Sequence, residues 1–355
     1  MKYLQAFNGY NFMKKYVFIF LISFPLFADY SSHPEAESVI KELTDIHGFE
    51  KSYVINILSD AKKQQKIIDS ISKPAEFTWT WDRYKKLFIE QNRILNGRIF
   101  IQDNIQTFKK VEKEFGVPKE VITAIIGVET RYGKIQGSYR VIDSLTTLGF
   151  DYPRRAKFFR SELIKFFLLT RENNLDILEV KGSYAGAMGY GQFISSSYRA
   201  YAIDYDEDGY ADLFGSVDDA IGSVANYLKI HGWKRNGDIV QKVDLNNVRK
   251  PYRNNEESNK FIPLMFSEGV DESYIVKDGD TLLEIAIANN MNIKELMLLN
   301  SISNQNFIKT GQKLLLKKKK DIYFIGDDNF IAITKYNISH FYAMAVYYLS
   351  KELKI

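Results

Sequence analysis

Apolar residues recur every three or four positions from residue 35 to about residue 169, with few glycines between them. This spacing puts apolar side chains on one face of a helix, so it predicts amphipathic helices. The clearest helical segments are 39–47, 54–60, 84–88 and 99–114. Glycine, alanine and aromatic residues replace this pattern at 182–191, an acidic loop follows at 204–212, and a strand-then-helix pattern closes the chain at 323–349. The pattern predicts a mainly α protein of the α+β kind.

A short apolar segment near the start of the chain has the layout of a secretory signal. Lys14 and Lys15 precede the run YVFIFLISFPLF, and Ala28 offers a small residue at the cut. These twelve residues are too few to span a bilayer, which takes about 20. We expect residues 1–28 to be a signal peptide. An uncleaved anchor is the alternative, because Leu26 is an imperfect match at the third position before the cut.

The composition removes several classes of protein. The 355 residues include no cysteine, which excludes a disulfide framework, cysteine-ligated metal sites, a cysteine nucleophile and a cysteine-linked lipid anchor. Loss of the predicted signal takes away Lys2, Lys14 and Lys15, so the 48 basic residues become 45 against 44 acidic ones and the net charge falls from +4 to +1. So small a basic excess predicts no nucleic-acid partner.

The segment VPKEVITAIIGVETRYG carries a carboxyl group on an apolar helix. Pro118 suits the first helical position. Glu129 stands four residues after Ile125 and three after Ile126, so it shares their apolar face. Burial raises the pKa of a carboxyl group, which a general acid at neutral pH requires. A glutamate paired with an arginine for stability is the alternative, and spacing alone favours it slightly; Arg131 points elsewhere on an ideal helix.

Alternate aspartates in the acidic loop have the spacing of a calcium site. Asp204, Asp206 and Asp208 would converge on one cation, Gly209 would allow the sharp turn at the sixth position, and Tyr210 could offer its carbonyl at the seventh. This is the first half of an EF-hand loop, in which oxygen ligands surround a hard cation.

The second half of the loop departs from that pattern. The twelfth position is Gly215 rather than a bidentate glutamate, so Asp218 or Asp219 must complete the site. A metal-free surface turn, with these two residues serving only as acids at a helix N-terminus, is the alternative. We predict a structural Ca²⁺ and no organic cofactor.

Five strings resemble, in order, the membrane-bound lytic murein transglycosylase B family. They are GVETRYG (127–133), DYPRRAKFF (151–159), KGSYAGAMGYGQFISSSY (181–198), DAIGSVANYL (219–228) and ITKYNISHFYAMAVYYL (333–349). The resemblance implies a lysozyme-like, mainly helical fold. It also implies an enzyme that cleaves the MurNAc–GlcNAc β-1,4 bond of peptidoglycan without water and leaves a 1,6-anhydro-muramoyl end.

The same resemblance implies roles for individual residues. Glu129 matches the family's single catalytic glutamate, which acts first as acid and then as base, and Asp219 matches the late calcium ligand better than Asp218. Positions that match the substrate cleft are Tyr84, Arg154, Arg155, Ser183, Gln192, Tyr227, Tyr336, Asn337 and Tyr342. For the tyrosines the alternative is plain core packing, because the chain holds 23 of them.

Residues 273–316, which we call the insert, interrupt the family match. A strand at 274–276, helices at 282–288 and 293–300 and a strand at 312–315 form a predicted βααβ unit. It resembles a LysM module, which implies binding to GlcNAc-containing glycan; an insertion of structural value only is the alternative. The transglycosylase domain would then span 29–272 and resume at 321–355, with an exposed polar connection at 246–260 and a solvated edge at lysines 317–320.

These features favour a periplasmic lytic transglycosylase that is not lipid-anchored. A non-catalytic peptidoglycan-binding or scaffold protein and a hydrolytic muramidase on the same fold remain as alternatives. Expected partners are peptidoglycan glycan strands, together with candidate proteins of cell-wall synthesis or division. We expect a monomer.

Overall fold

The computed structural model describes residues 29–72, 79–243 and 262–354. The predicted signal peptide at 1–28 and the predicted polar connection at 246–260 lie outside the described residues.

Helices dominate the described part of the chain, as the apolar spacing predicted. The first group is α1 (Ala36–Lys41), α2 (Lys51–Asp60), α3 (Gln65–Ser72), α4 (Trp81–Phe88), α5 (Gln91–Asp103) and α6 (Ile105–Phe115). The central group is α7 (Lys119–Thr130), α8 (Val141–Asp151), α9 (Ala156–Glu172), α10 (Ser195–Tyr201) and α11 (Val217–Ile230). The insert holds α12 (Leu282–Ala288) and α13 (Ile293–Leu299), and the chain closes with α14 (Asp328–Tyr336) and α15 (His340–Glu352). Among these described helices, none combines the length and the apolar character that crossing a bilayer requires.

The single helix predicted over 99–114 is in fact two helices that meet at Asn104. The backbone of Asn104 leaves the helical region, with φ −116° and ψ 25°. Its side-chain Nδ2 donates to the carbonyl of Phe100 at 2.8 Å. An asparagine that bonds a nearby carbonyl competes with continuation of a helix. Phe108 and Val111 of α6 stay buried, so the apolar spacing continues where the helix does not.

Two small antiparallel sheets accompany the helices. The strands are β1 (Tyr139–Arg140), β2 (Lys181–Gly182), β3 (Val240–Val243), β4 (Ile262–Ile275) and β5 (Lys313–Gly326). The first sheet pairs β1 with β2, and the second has the order β3-β5-β4. We call the paired strands β4 and β5 the ribbon; its register runs from Ile262 opposite Gly326 to Ile275 opposite Lys313. The strands predicted at 274–276 and 312–315 are only the far ends of the ribbon, and lysines 317–320 lie inside β5.

The insert has a hydrophobic core of its own at the far end of the ribbon. Val276, Leu282, Ile285, Leu296 and Leu314 are among its buried residues. The larger core, formed by the other elements, contains residues of the helices from α1 to α11 and of α14 and α15. The predicted βααβ order of the insert is therefore present, although its two strands continue into the rest of the protein without a break.

The insert also covers part of one edge of the ribbon. The side chain of Asn300 accepts a hydrogen bond from the amide of Leu315 at 2.6 Å and donates one to the carbonyl of Leu315 at 2.9 Å. Two residues further on, the amide of Lys317 donates to the sulfur of Met291 at 3.2 Å. Side chains of the insert therefore take up backbone groups of β5 where the described part of the chain places no third strand.

Candidate active site

Helix α7 ends one residue beyond Glu129 and is followed by a left-handed turn. Pro118 is the N-cap of α7 rather than its first helical residue. At the other end, Arg131, Tyr132 and Gly133 have φ angles of +52°, +62° and +81°. Two of these residues are not glycine, so the turn is strained and must be held by contacts elsewhere. The end of α7 leaves Glu129 half-buried on the helix face that the sequence predicted.

Thr130 fastens this turn to the glycine-rich segment 182–193. Its buried Oγ1 lies 2.8 Å from the carbonyl oxygen of Tyr190 and accepts a hydrogen bond from the amide of Gly133 at 3.0 Å. A Cβ on Gly133 would come within 2.1 Å of the Tyr190 ring, so the glycine lets the two segments approach. The sequence did not single out Thr130; a hydroxyl among the apolar positions of α7 was the one signal for it, and Thr123 carries the same signal.

The carboxyl group of Glu129 is bonded to a tyrosine from the far end of the chain. The hydroxyl of Tyr342, in the first turn of α15, donates to Oε1 of Glu129 at 2.7 Å. Burial and the nearby charge of Glu129 raise the pKa of Tyr342 well above its usual value. The hydroxyl therefore stays protonated and serves as a donor to the carboxylate.

Two further predicted tyrosines form an aromatic wall beside Tyr342. The ring of Tyr336 lies parallel to that of Tyr342 at 6.5 Å, and its hydroxyl donates to the carbonyl of Gly191 at 2.5 Å. The ring of Tyr227 meets Tyr336 edge to face at 4.8 Å. Burial raises the pKa of Tyr227 to about 12 and that of Tyr336 well above its usual value. Both hydroxyls are thus neutral donors: that of Tyr227 donates to the carbonyl of Lys335 at 2.6 Å and ties α11 to α14, whereas that of Tyr336 ties α14 to the glycine-rich segment.

The glycine-rich segment is held by its own polar side chains. Gln192 has a φ of +51°, and its Nε2 lies 3.0 Å from the carbonyl oxygens of Gln136 and Gly189. Ser183 Oγ accepts hydrogen bonds from the amides of Ala185 and Ala187 at 3.3 and 3.0 Å. Both side chains are half-buried and shape the segment that packs against the turn after Glu129.

The four remaining predicted cleft residues differ in burial and in the groups that they contact. Tyr84 is buried, with its ring 4.8 Å from that of Phe88. Asn337 follows α14, and its Oδ1 accepts a hydrogen bond from the amide of Ser339 at 3.0 Å. Arg154 and Arg155 are exposed on the turn between α8 and α9, where the guanidinium of Arg155 lies 4.3 Å from the ring of Phe158. The structure thus brings Tyr342 directly onto Glu129, with Tyr227 and Tyr336 behind it, whereas Arg154 and Arg155 lie exposed on the turn between α8 and α9.

Three acidic side chains of the calcium-type loop converge. Carboxylate oxygens of Asp204, Asp206 and Asp219 lie within 4.8 Å of one another. Asp208 is exposed beside them, and its amide donates to the carboxylates of Asp204 and Asp206 at 3.0 and 3.3 Å. Tyr210 is exposed, with its amide bonded to Asp208 Oδ1 at 3.0 Å. Clustered carboxylates of this kind suit a hard divalent cation.

The structure distinguishes the two late aspartates that the sequence left open. Asp219 is fully buried and accepts hydrogen bonds from the amides of Tyr205 and Asp212 at 2.6 and 2.7 Å, so it closes the loop. Burial raises the pKa of Asp219. Asp218 faces another helix, where its Oδ1 accepts a hydrogen bond from Thr107 Oγ1 of α6 at 2.6 Å.

A half-buried carboxyl group at a helix end, bonded to a buried tyrosine and backed by aromatic rings within a mainly helical fold, defines a lysozyme-like enzyme that acts on glycans. The chain belongs to the family described as the transglycosylase SLT domain, which matches residues 31–351.

Individual relatives agree with this family. The chain is 36% identical over 336 residues to membrane-bound lytic murein transglycosylase B of Escherichia coli, a match that covers 92% of this chain and 84% of that protein. Soluble lytic transglycosylase SltB1 of Pseudomonas aeruginosa is 37% identical, with a TM-score of 0.67 over 90% of this chain and 98% of that one. The Escherichia coli lytic transglycosylase Slt35 in complex with calcium is 32% identical, with a TM-score of 0.67 over 92% of this chain and 94% of that one.

These matches confirm the predicted family, the predicted mainly α fold class and the predicted enzyme class. The protein is a lytic murein transglycosylase, a lyase that acts on peptidoglycan.

Replacement of Tyr342 by phenylalanine should slow catalysis while the fold is kept. The change removes the 2.7 Å hydrogen bond to Glu129 Oε1. A hydrogen bond to a charged group contributes about 1.5–3 kcal/mol, so we expect kcat to fall roughly 10- to 100-fold with KM little changed. Initial rates on soluble glycan strands measure both constants.

Tyr30→Phe is the matched control for this prediction. The hydroxyl of Tyr30 also donates to a carboxylate, Oδ2 of Asp151, at 2.5 Å, but on a different part of the protein. We expect Tyr30→Phe to lower stability and to leave kcat unchanged. Equal losses of kcat in the two variants would mean that the Tyr342 hydroxyl acts only through stability.

Proposed function

We propose that Glu129 cleaves the MurNAc–GlcNAc β-1,4 bond of peptidoglycan in two proton transfers without water. The carboxylic acid first gives its proton to the glycosidic oxygen as the bond from that oxygen to C1 of MurNAc breaks. The resulting carboxylate then takes the proton of the C6 hydroxyl of the same sugar while the C6 oxygen bonds to C1. The products are a free GlcNAc hydroxyl and a 1,6-anhydroMurNAc end, and Glu129 regains its proton.

The single observation that carries this proposal is the hydrogen bond from Tyr342 to Glu129 Oε1 at 2.7 Å. A neutral donor on one carboxylate oxygen fixes the direction of the group and stabilises its ionised form, which the second step needs. Ordinary glycosidases employ a second carboxylate as nucleophile or base. In the proposed reaction the N-acetyl group of the substrate supports the positive charge at C1 instead.

Mass analysis of the reaction products tests the proposal. Purified sacculi are digested, and the released fragments are compared with those of a hydrolytic muramidase, whose cut adds one water to each product pair. We expect fragments that lack this water and end in the anhydro sugar. Fragments that carry the added water would show that the protein is a muramidase on the same fold.

We also propose that Asp204, Asp206 and Asp219 hold a structural calcium ion, with Asp208 and the carbonyl of Tyr210 at the rim of the same loop. The convergence of three carboxylates within 4.8 Å supports this assignment. The ion would offset their mutual repulsion and tie the loop to the start of α11, whose other end carries Tyr227. Its role would be stability of the fold and not chemistry at Glu129.

Calcium should raise the melting temperature of the wild type but not that of Asp219→Asn. At a calcium concentration a hundred times Kd, binding to the folded state alone adds about 2.7 kcal/mol, which is several degrees in Tm. Asp218→Asn is the control, because an asparagine there can still accept the hydrogen bond from Thr107. Calcium titrations followed by thermal melting test this. An identical calcium response in the wild type and Asp219→Asn would refute the site.

The insert is proposed to be a LysM-like module that binds GlcNAc-containing glycan. Its βααβ order and separate core support this proposal. Leu298 and Phe307 are 84% and 75% exposed, so apolar side chains are available on its surface to a sugar face.

The proposed place of action is the periplasm, without a lipid anchor. The pattern of residues 14–28 and the absence of cysteine from the 355 residues support this part of the proposal. Peptidoglycan glycan strands are the proposed partners there.

A further inference from the structure

A half-buried glutamate lies midway along the ribbon and joins three elements. Oε1 of Glu268, on β4, lies 2.9 Å from the indole nitrogen of Trp81 and 3.0 Å from the ammonium group of Lys85, both on α4. The hydroxyl of Tyr348, on α15, is 3.5 Å from the same oxygen. One carboxylate oxygen therefore holds β4 against two helices.

Aromatic rings surround this ion pair. The ammonium of Lys85 lies 4.2 Å from the centroid of the Tyr348 ring, and the Trp81 ring is 5.0 Å from that of Phe266 on β4. Burial alone would raise the pKa of Glu268, but the bonds from Trp81 and Lys85 bring it below its usual value. The carboxylate is thus ionised and bonded in a partly desolvated setting, where each hydrogen bond is electrostatically stronger than on an open surface.

The two helices held by Glu268 also carry predicted cleft residues. Tyr84 lies on α4, between Trp81 and Lys85, and Tyr342 lies on α15 with its hydroxyl on Glu129. From Glu268, β4 continues without a break to Ile275, where the insert begins to fold. Seven residues of strand span roughly 24 Å at about 3.4 Å per residue. The contact at Glu268 therefore fixes the direction in which the ribbon carries the insert away from the site.

We propose that Glu268 is a positioning residue, which holds the insert in a set orientation to the site so that one long glycan strand occupies both. This inference rests on the proposed glycan binding by the insert. A strand bound at two places is held more tightly than one bound at either, provided that the geometry allows both contacts at once. Long strands gain from this arrangement, whereas a fragment short enough to fill only the site does not.

The test compares kcat/KM for long glycan strands with kcat/KM for a short muropeptide oligomer. Glu268→Gln keeps an acceptor for Trp81 but removes the charge that holds Lys85, and Lys85→Met breaks the ion pair from the other side. We expect the long-to-short ratio to fall roughly tenfold or more in both variants, with the rate on the short substrate unchanged. Having two variants keeps the test decisive if one fails to fold.

Ser267→Ala is the control on the ribbon itself. Ser267 is the neighbour of Glu268 on the opposite face of β4, where its hydroxyl bonds Asp321 of β5 at 2.5 Å. Removal of the Ser267 hydroxyl should leave the long-to-short ratio of kcat/KM at the wild-type value. An equal fall of the ratio in Ser267→Ala would show that any weakening of the ribbon suffices, and would overturn a specific role for Glu268.

A third protein separates this proposal from the one on which it rests. The register puts Ile275 opposite Lys313, so residues 276–312 can be replaced by an Asn-Gly turn that closes the ribbon as a hairpin. If this protein keeps the wild-type ratio of kcat/KM for long strands to kcat/KM for the short oligomer, the proposed glycan binding by the insert is refuted. A low ratio here together with a wild-type ratio in Glu268→Gln and Lys85→Met would leave glycan binding intact and overturn the positioning role.

Discussion

Glu129→Gln is expected to abolish the release of fragments from purified sacculi, with a loss of at least about 10³-fold, because one group performs both proton transfers and each contributes some 10²–10⁴-fold. The amide keeps the size of the side chain and can still accept the hydrogen bond from Tyr342. The fold and the affinity for glycan should therefore survive. Soluble fragments released with time measure the rate, and co-sedimentation with sacculi measures the binding.

Glu120→Gln, the same substitution at the other end of α7, is the control. Glu120 lies in the first turn of the helix and pairs with Lys119 at 3.0 Å, away from the proposed chemistry. It should release fragments at the wild-type rate. If Glu129→Gln were as active as the wild type, another group would have to be the acid. If the wild type released no more than Glu129→Gln, the protein would act by holding peptidoglycan.

Gly137→Ala is expected to cause the largest loss of stability from a single methyl group. Gly137 has a φ of +107°, and a Cβ there would lie 2.0 Å from the carbonyl carbon of Gly182 and 2.6 Å from the amide of Ser183. Backbone atoms cannot rotate away as a side chain can. The strain of the dihedral angle and the overlap together should lower the free energy of unfolding by about 3 kcal/mol or more. Chemical denaturation gives this value, and displacement of Ser183 should lower activity as well.

Gly232→Ala separates the two contributions. Gly232 has a similar φ of +97°, but no atom lies within 4 Å of a Cβ built there. Only the dihedral cost remains, so a loss of about 1–2 kcal/mol is expected. The difference between the two variants measures the contact of Gly137 with the strand before Ser183. Similar losses in both would mean that this contact can relax.

The sequence predicted the helices of this protein better than its polar contacts. Apolar spacing located α7 and the face that carries Glu129, but it could not choose between a general acid and a structural ion pair. The hydrogen-bond partner of Glu129, Tyr342, lies 213 residues further along the chain, so no local spacing could reveal it. Only the family resemblance, carried by the five strings, placed Glu129 and Tyr342 in the same site. Thr130 was missed for the same reason, because its partner at Tyr190 is 60 residues away.

The late aspartate of the proposed calcium site shows a similar limit. Asp218 and Asp219 are neighbours in sequence, and their positions in the chain alone left either able to close the loop. Consecutive residues on a helix point about 100° apart, so only one of them can face the loop. The packing of α11 against α6 makes the choice, by turning Asp218 toward Thr107.

The length of the ribbon was not predicted, because its middle has no apolar alternation. Lysines 317–320 are consecutive charges, which predicted a solvated edge. They lie in a strand because β4 supplies backbone hydrogen bonds along the whole of β5. A strand formed by pairing and not by burial leaves no hydrophobic signal in the sequence.

The side chains of Asn300 and Met291 cover backbone groups of β5 that would otherwise favour self-association. A free strand edge presents amides and carbonyls to any other extended chain, and so invites aggregation. At one end of β5, β3 covers the edge at residues 323–326. At the other end, Asn300 and Met291 take up the groups of Leu315 and Lys317. The insert thus shields the strand from which it projects, which would help to keep the enzyme soluble when many copies are crowded along one polymer.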